Sequence, residues 1–120
     1  MTTSLPKVLI VEDDEQWQGI WTRHLEREGA EVLMASSLEE GERLFEVNPD
    51  LTLVIMDGCV PGERPNSMPL VQKMRQTFRG PIVAGSGNPN VCKTLVEAGC
   101  SHWALKHMVS GLVSKILKEM

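Results

Sequence analysis

Two periodicities alternate along this chain, five times over in 120 residues, and that alternation constrains its fold more than any other feature. Short apolar runs with β-branched residues read as strands at Lys7–Val11 (KVLIV), Glu31–Ala35 (EVLMA), Leu51–Met56 (LTLVIM), Pro81–Ala84 (PIVA) and Ser101–Leu105 (SHWAL). KVLIV is apolar without interruption after its lysine, as expected of a strand covered on both faces, and LTLVIM is expected at the centre of the sheet. Between the runs, apolar residues recur at helical spacing. Trp17, Ile20, Trp21, His24 and Leu25 share one face, as do Leu38, Gly41, Leu44 and Phe45. Leu70, Val71, Met74 and Phe78 form a third face, Val91, Leu95 and Ala98 a fourth, and Val109, Leu112, Val113, Ile116 and Leu117 the last. Start and stop signals agree. Ser37-Leu-Glu-Glu40 is a capping box and Asn88-Pro89 a cap with proline at the first helical position, while Gly29, Pro49-Asp50, Gly80-Pro81 and Gly99 are stops. The prolines and glycines of Gly58–Pro69 make that segment a loop.

Strands alternating with helices mean βαβ units and a parallel sheet, and right-handed crossovers wind it on both faces into one domain over residues 1–120. Ligands of such sheets bind beyond the carboxyl ends of the strands, where the winding reverses. Composition narrows the function classes. Twelve Lys and Arg against sixteen Asp and Glu leave a net charge of −4, without the basic stripe of a nucleic-acid or membrane-surface module. No run approaches the ~18 apolar residues of a membrane span, and MTTSLPK has no signal-peptide core. Three cysteines, Cys59, Cys92 and Cys100, without CxxC spacing suit reduced thiols in the cytoplasm.

The strand ends carry Glu12-Asp13-Asp14, Asp57-Gly58-Cys59, Gly85-Ser86-Gly87 and Leu105-Lys106. Helix capping accounts for one acid after the first strand, and Asp13-x-x-Gln16 is itself a capping-box pattern, but one cap does not need three acids. Asp57 follows a buried run directly, where an unpaired carboxylate costs several kcal/mol. With the first and third strands as neighbours, both acid groups face one crevice. Two carboxylates ~4 Å apart repel by roughly 1 kcal/mol in water and about 4 kcal/mol at an intermediate dielectric, which a cation offsets. Clustered carboxylates with carbonyl oxygens suit Mg²⁺, and no His or Cys set has zinc spacing. A lone Lys106 or a lone Ser86 is ordinarily a solvated side chain. Together with a carboxylate nucleophile and a divalent-ion site, they are the parts that accept and hold a phosphoryl group on Asp57.

The set VLIVEDDE, LTLVIMDGCVPG, PIVAGSG and AGCSHWALKH resembles the receiver (CheY-like) domain of two-component response regulators over essentially the whole chain. The resemblance implies a flavodoxin-like (βα)5 α/β fold with strand order 2-1-3-4-5. It implies that Glu12 and Asp13 are the acidic pair, with Asp13 the more direct Mg²⁺ ligand, and that Asp57 is the phosphoacceptor. Cys59 falls where the family supplies a backbone carbonyl to the metal, Ser86 where a hydroxyl meets the phosphoryl group, and Lys106 at the family's lysine. Trp103 occupies the aromatic switch position of the fifth strand, and Asp14 is an additional acid read as a helix cap. The expected partners are a histidine kinase or phosphotransfer protein and a downstream protein target or effector domain, with no direct contact to nucleic acid or membrane. The chain is expected to signal rather than turn over a substrate, beyond self-catalysed phosphoryl transfer and autodephosphorylation.

Three departures stand out. His107 replaces the proline that usually follows the lysine, so a cis peptide there would cost about 2.5–4 kcal/mol, and a trans bond or a rearranged loop is expected. The loop Gly62–Pro69 is about two residues longer than usual in this register, and its prolines predict an unusual start to the third helix. Ser86 is flanked by Gly85 and Gly87, where the family places a small residue only afterward. These departures keep open a non-phosphorylated, receiver-like protein-interaction module. A haloacid-dehalogenase-type phosphatase would need an acid where Cys59 stands, and a flavodoxin would need a phosphate loop where Glu12-Asp13-Asp14 would repel one.

Overall fold

The structure is a computed structural model that describes residues 5–60 and 65–120. Residues 61–64 of the expected long loop lie outside the described residues, and with them part of the expected two-residue extension. The elements run β1 (Lys7–Val11), α1 (Glu15–Arg27), β2 (Glu31–Ala35), α2 (Leu38–Val47), β3 (Leu53–Asp57), α3 (Met68–Arg75), β4 (Ile82–Ser86), α4 (Pro89–Ala98), β5 (His102–Leu105), a 3-10 turn (Lys106–Met108) and α5 (Val109–Glu119). The five strands form one parallel sheet in the order β2-β1-β3-β4-β5, the flavodoxin-like arrangement expected.

Alternation along each strand divides the core in two. Leu9, Val11, Val54, Met56, Ile82 and Ala84 face a layer with α2, α3 and α4. Val8, Ile10, Leu53, Ile55 and Val83 face the layer built by Trp21 and Leu25 of α1 and Val109, Val113 and Ile116 of α5. His24 and Ser114, sharing a hydrogen bond at 2.7 Å, tie those two helices together. Ile20, expected on the inward face of α1, is 37% exposed, because Trp21 and Leu25 take the buried stripe and a neighbour turned about 100° from Trp21 lies at its edge. Among the described residues no helix is long and apolar enough to cross a membrane.

Local chemistry sets the element ends. Ser37 Oγ accepts from Glu40 N–H at 3.1 Å, and Glu40 Oε1 accepts from Ser36 N–H at 3.0 Å, so the capping box closes one residue earlier than the standard reciprocal pair. Asp14, not Asp13, caps α1, its Oδ1 accepting from Gln16 N–H at 2.8 Å. That corrects the Asp13-x-x-Gln16 capping-box reading and leaves Asp13 free of a capping bond. The third helix ends at Arg75 rather than running on to Phe78. The Arg75 guanidinium, at the last residue of the helix, donates to the carbonyls of Phe78, Gly80 and Gly99 at 2.7–2.9 Å, so the turn that follows is held by a side chain instead of by further helical bonds. Its start is unusual as expected: Ser67 stands at the cap without a side-chain cap bond, and Pro69 lies in the first turn.

Candidate functional site

Register brings the strand-end residues together. Val11 pairs with Met56, so Glu12 and Asp57, one residue further on, leave the sheet side by side. Asp57 pairs with Gly85, and Ser86 with Leu105, which sets Ser86 and Lys106 on the same rim. The result is a crevice of about 480 Å³ whose lining includes Glu12, Asp13, Asp57, Cys59, Ser86 and Lys106. It opens where β1, with β2 on one side and β3 on the other, marks the reversal of winding.

Glu12 is 0% exposed and Asp57 4%. Glu12 Oε1 accepts from Asp14 N–H at 3.0 Å. Its Oε2 lies 2.9 Å from Lys106 Nζ, an ion pair out of alignment for a hydrogen bond, and so this buried oxygen has no hydrogen-bond partner. Asp57 Oδ2 lies 3.6 Å from the same ammonium, and Asp57 Oδ1 accepts a long contact from Cys59 N–H at 3.5 Å. Burial pushes the Glu12 carboxyl up to about 7, against the pull of Lys106 and of the Asp14 N–H. Burial also raises Asp57, with the Lys106 charge opposing it. For Lys106 burial acts downward, but the Glu12 pair and the Asp57 charge outweigh it and the ammonium is held above its ordinary value. Burial and the nearby Asp57 charge raise the Cys59 thiol, which leaves it a poor thiolate.

Carboxylate oxygens of Glu12, Asp13 and Asp57 lie within 4.8 Å of one another. An all-oxygen set, with one buried oxygen that makes no hydrogen bond, fits a hard divalent cation such as Mg²⁺ and not a thiolate- or imidazole-preferring metal. Ser86 is buried, and its Oγ accepts from Asn88 N–H at 3.1 Å, so its own hydrogen remains available to an acceptor in the crevice. Asn88 in turn caps α4. Trp103 is not in this crevice. It is 41% exposed and lines an apolar groove beside Leu105, Met108 and Leu112, so it is not a core aromatic.

Several supporting residues escape a reading by sequence. Ser67 Oγ donates to the Asp57 carbonyl, and the Asn66 amide clamps both N–H and C=O of Val60 at 2.8 Å, so the segment after β3 is clipped back onto the site. The Ser67 bond is also why that side chain does not cap α3. The Gln18 side-chain amide donates to the Glu12 carbonyl and to Ser36 Oγ. Trp21 donates its indole N–H to the Lys106 carbonyl at 3.2 Å. At Gly58 an added Cβ would lie 2.2 Å from Val91 Cγ1, so only glycine lets the chain leave Asp57 this close to α4. The hint for Asn66 and Ser67 is their turn chemistry, and for Trp21 the need of any buried indole for an acceptor.

No protein-family model matches the sequence, and no curated protein matches it. Solved structures do match. A putative response regulator from Chloroflexus aurantiacus is 25% identical, with 96% of this chain and 99% of that one covered at a TM-score of 0.81. A CheY-like receiver domain protein from Methanospirillum hungatei is 22% identical, with 96% of both chains covered and a TM-score of 0.78. A response regulator from Burkholderia pseudomallei, solved with a phosphorylated aspartic acid, a calcium ion and citrate, is 19% identical, with 84% of this chain and 59% of that one covered at a TM-score of 0.74. The chain has the CheY-like receiver fold.

Proposed function

We propose that residues 1–120 act as a single cytoplasmic receiver that takes a phosphoryl group from the phosphohistidine of a histidine kinase or phosphotransfer protein onto Asp57. The observation that carries this reading is the convergence of three carboxylates, one ammonium and one free hydroxyl hydrogen on a single crevice at the reversal of the sheet. The phosphorylated aspartic acid and divalent cation of the Burkholderia pseudomallei protein belong to a chain of the same fold and add support.

In the transfer, an Asp57 carboxylate oxygen attacks phosphorus. One O–P bond forms as the N–P bond breaks, and the bonding pair returns to the histidine ring, which takes up a proton from water. Glu12, Asp13, Asp57 and the Cys59 carbonyl would hold Mg²⁺, which when bound neutralises phosphoryl oxygens and aligns them for in-line attack. Lys106 stands 3.6 Å from Asp57 and is placed to pair with a phosphoryl oxygen there. Ser86 supplies a hydrogen bond to another, and its bond from Asn88 N–H joins that event to the cap of α4. A phosphoryl group adds about −1.5 to −2 charges at one point, and the surface of α4, β5 and α5 answers. Trp103 on β5 is the side chain whose two positions follow Ser86. Output is a changed affinity for a downstream protein target or effector domain, without direct contact to nucleic acid or membrane. Turnover is limited to self-catalysed transfer and autodephosphorylation.

Intact-mass measurement after incubation with acetyl phosphate and Mg²⁺ tests the reading. The wild type gains one phosphoryl group and Asp57→Asn gains none. No gain on the wild type leaves the interaction-module reading in its place, and an equal gain on Asp57→Asn rejects Asp57 as the acceptor.

A further inference from the structure

We propose that Trp21 is the positioning residue for Lys106: from within the core its indole N–H holds the Lys106 carbonyl, and so fixes where the ammonium sits between Glu12 and Asp57. The inference rests on the phosphoacceptor reading and names how its lysine is held.

Lys106 begins a 3-10 turn whose other side chains, His107 and Met108, are exposed and give it no anchor. With His107 in place of proline there is no ring to stiffen the turn either. What holds it from inside is a pair of donors on one carbonyl: Val109 N–H, from the turn itself, and Trp21 Nε1–H at 3.2 Å, from α1. Trp21 is fully buried, so its own position is set by packing, including a tilted contact with Trp17 at 5.8 Å between ring centroids. The seat of the indole depends on Gly85. A Cβ there would come 2.9 Å from Val109 Cγ2 and 3.4 Å from Trp21 Cη2, so the bare backbone next to Ser86 is what lets the indole and the first residue of α5 close in under the site. The glycine before Ser86, the histidine after Lys106 and the tryptophan on α1 are thus parts of one arrangement. A core aromatic needs no N–H, and a buried indole satisfied elsewhere would not touch the one residue whose side chain joins both buried acids.

A double-mutant cycle separates positioning from general support. Phosphoryl uptake from acetyl phosphate and Mg²⁺ is timed by intact mass for the wild type, Trp21→Phe, Lys106→Ala and the double variant. Trp17→Phe serves as the control for lost packing, since it trims the ring that touches Trp21 and leaves the Trp21 bond to Lys106 in place. Trp21→Phe is expected to slow uptake at saturating phosphodonor by about tenfold, the scale of one buried hydrogen bond, and to leave the Mg²⁺ dissociation constant within about twofold. In the Lys106→Ala background Trp21→Phe is expected to change the rate by no more than about twofold, because the group it positions is gone. No slowing, or equal slowing in both backgrounds, overturns the proposal. Should Trp21→Phe not fold, Trp21→Met refills the space with flexible apolar atoms and carries the same expectations. If the wild type itself takes up no phosphoryl group, the phosphoacceptor reading falls, and the Trp21 contact is judged separately by the ¹⁵N shift of Lys106 Nζ. A change in Trp21→Phe absent from Trp17→Phe upholds the contact, and an unchanged shift rejects it.

Discussion

Glu12 makes the stability of the metal-free protein depend on pH in a direction opposite to that of most acids. Its carboxyl is fully buried, and burial lifts it from 4.5 to about 7. An acid raised in the folded state binds protons more readily folded than unfolded, so its contribution is fully present below about 4.5 and is lost as pH rises through about 7. Each pH unit separating the folded from the unfolded value is worth about 1.4 kcal/mol, so the loss across that window is about 3 kcal/mol, or roughly 10 °C in melting temperature for a domain of this size. Asp57 is raised by burial as well and faces the same ammonium, so the two acids titrate as a pair and act in the same direction. The lowered acid Asp50, at the opposite end of the sheet, acts below 3.8 and outside the window. Thermal melts followed by circular dichroism in EDTA, from pH about 4.5 to about 8, should therefore show a falling melting temperature. Glu12→Gln keeps the acceptor for Asp14 N–H and should remove at least half of the fall. A wild-type profile that is flat or rises between pH about 5 and about 7.5, or a Glu12→Gln profile with the full fall, refutes the buried-acid assignment.

The same charges predict how variants and metal behave. Asp57→Asn removes the like charge facing Glu12 and should raise the melting temperature in EDTA at neutral pH by several degrees, whereas millimolar Mg²⁺ should raise that of the wild type by mass action. A fall in both experiments would mean that the acids do not repel. The tryptophan emission should change when Mg²⁺ and a phosphoryl mimic are added together and not with Mg²⁺ alone, and Trp103→Phe, which removes the two-fifths-exposed indole and leaves Trp21 in place, should abolish that change. An emission indifferent to the mimic removes Trp103 from the switch.

The strands legible from pattern alone were those whose carboxyl ends are apolar. Lys7–Val11 and Glu31–Ala35 coincide with β1 and β2 to the residue. The third and fourth strands lie one to two residues further along than expected, at Leu53–Asp57 and Ile82–Ser86. Their last residues, Asp57, Gly85 and Ser86, look like loop chemistry, yet Asp57 pairs with Gly85 and Ser86 with Leu105 in the ladder. That is the position where a functional sheet spends polar residues on strand ends, so apolar periodicity underruns it. The turn at Lys106–Met108 and the early end of α3 were not legible, because both depend on side-chain bonds to backbone carbonyls that apolar periodicity does not register: Trp21, remote in sequence, for the Lys106 carbonyl, and Arg75 for those of Phe78, Gly80 and Gly99. The acids, Ser86 and Lys106 could be located at strand ends because parallel topology gathers those ends. Which acid is buried could not be read, since Glu12 differs from Asp13 and Asp14 only by facing inward.

Charge arithmetic within the crevice explains why its lysine and its acids belong to one mechanism. Glu12, Asp13 and Asp57 against Lys106, three negative groups to one positive, leave two negative charges when all are ionised. The structure meets this excess in two ways: Glu12 is raised to about 7, so that it is partly protonated near neutral pH, and Lys106 is drawn closer to Glu12, at 2.9 Å, than to Asp57, at 3.6 Å. The first weakens Glu12 as a ligand for a cation, and the second turns the ammonium toward a neighbouring carboxylate rather than toward incoming phosphoryl oxygens. A divalent cation held by the three acids would cancel the excess and let Glu12 ionise without Lys106. A phosphoryl group on Asp57, as proposed, would restore about two negative charges there, with the Lys106 ammonium 3.6 Å from the carboxylate. Dependence on the cation and dependence on the lysine are therefore coupled. Lys106→Ala should tighten the crevice's hold on Mg²⁺ while slowing phosphoryl uptake, because removing the ammonium leaves Glu12 no other positive partner among the described residues. Calorimetric titration with Mg²⁺ beside the timed intact-mass assay checks both halves, and a weaker hold on Mg²⁺ in Lys106→Ala would refute the competition between the two cations.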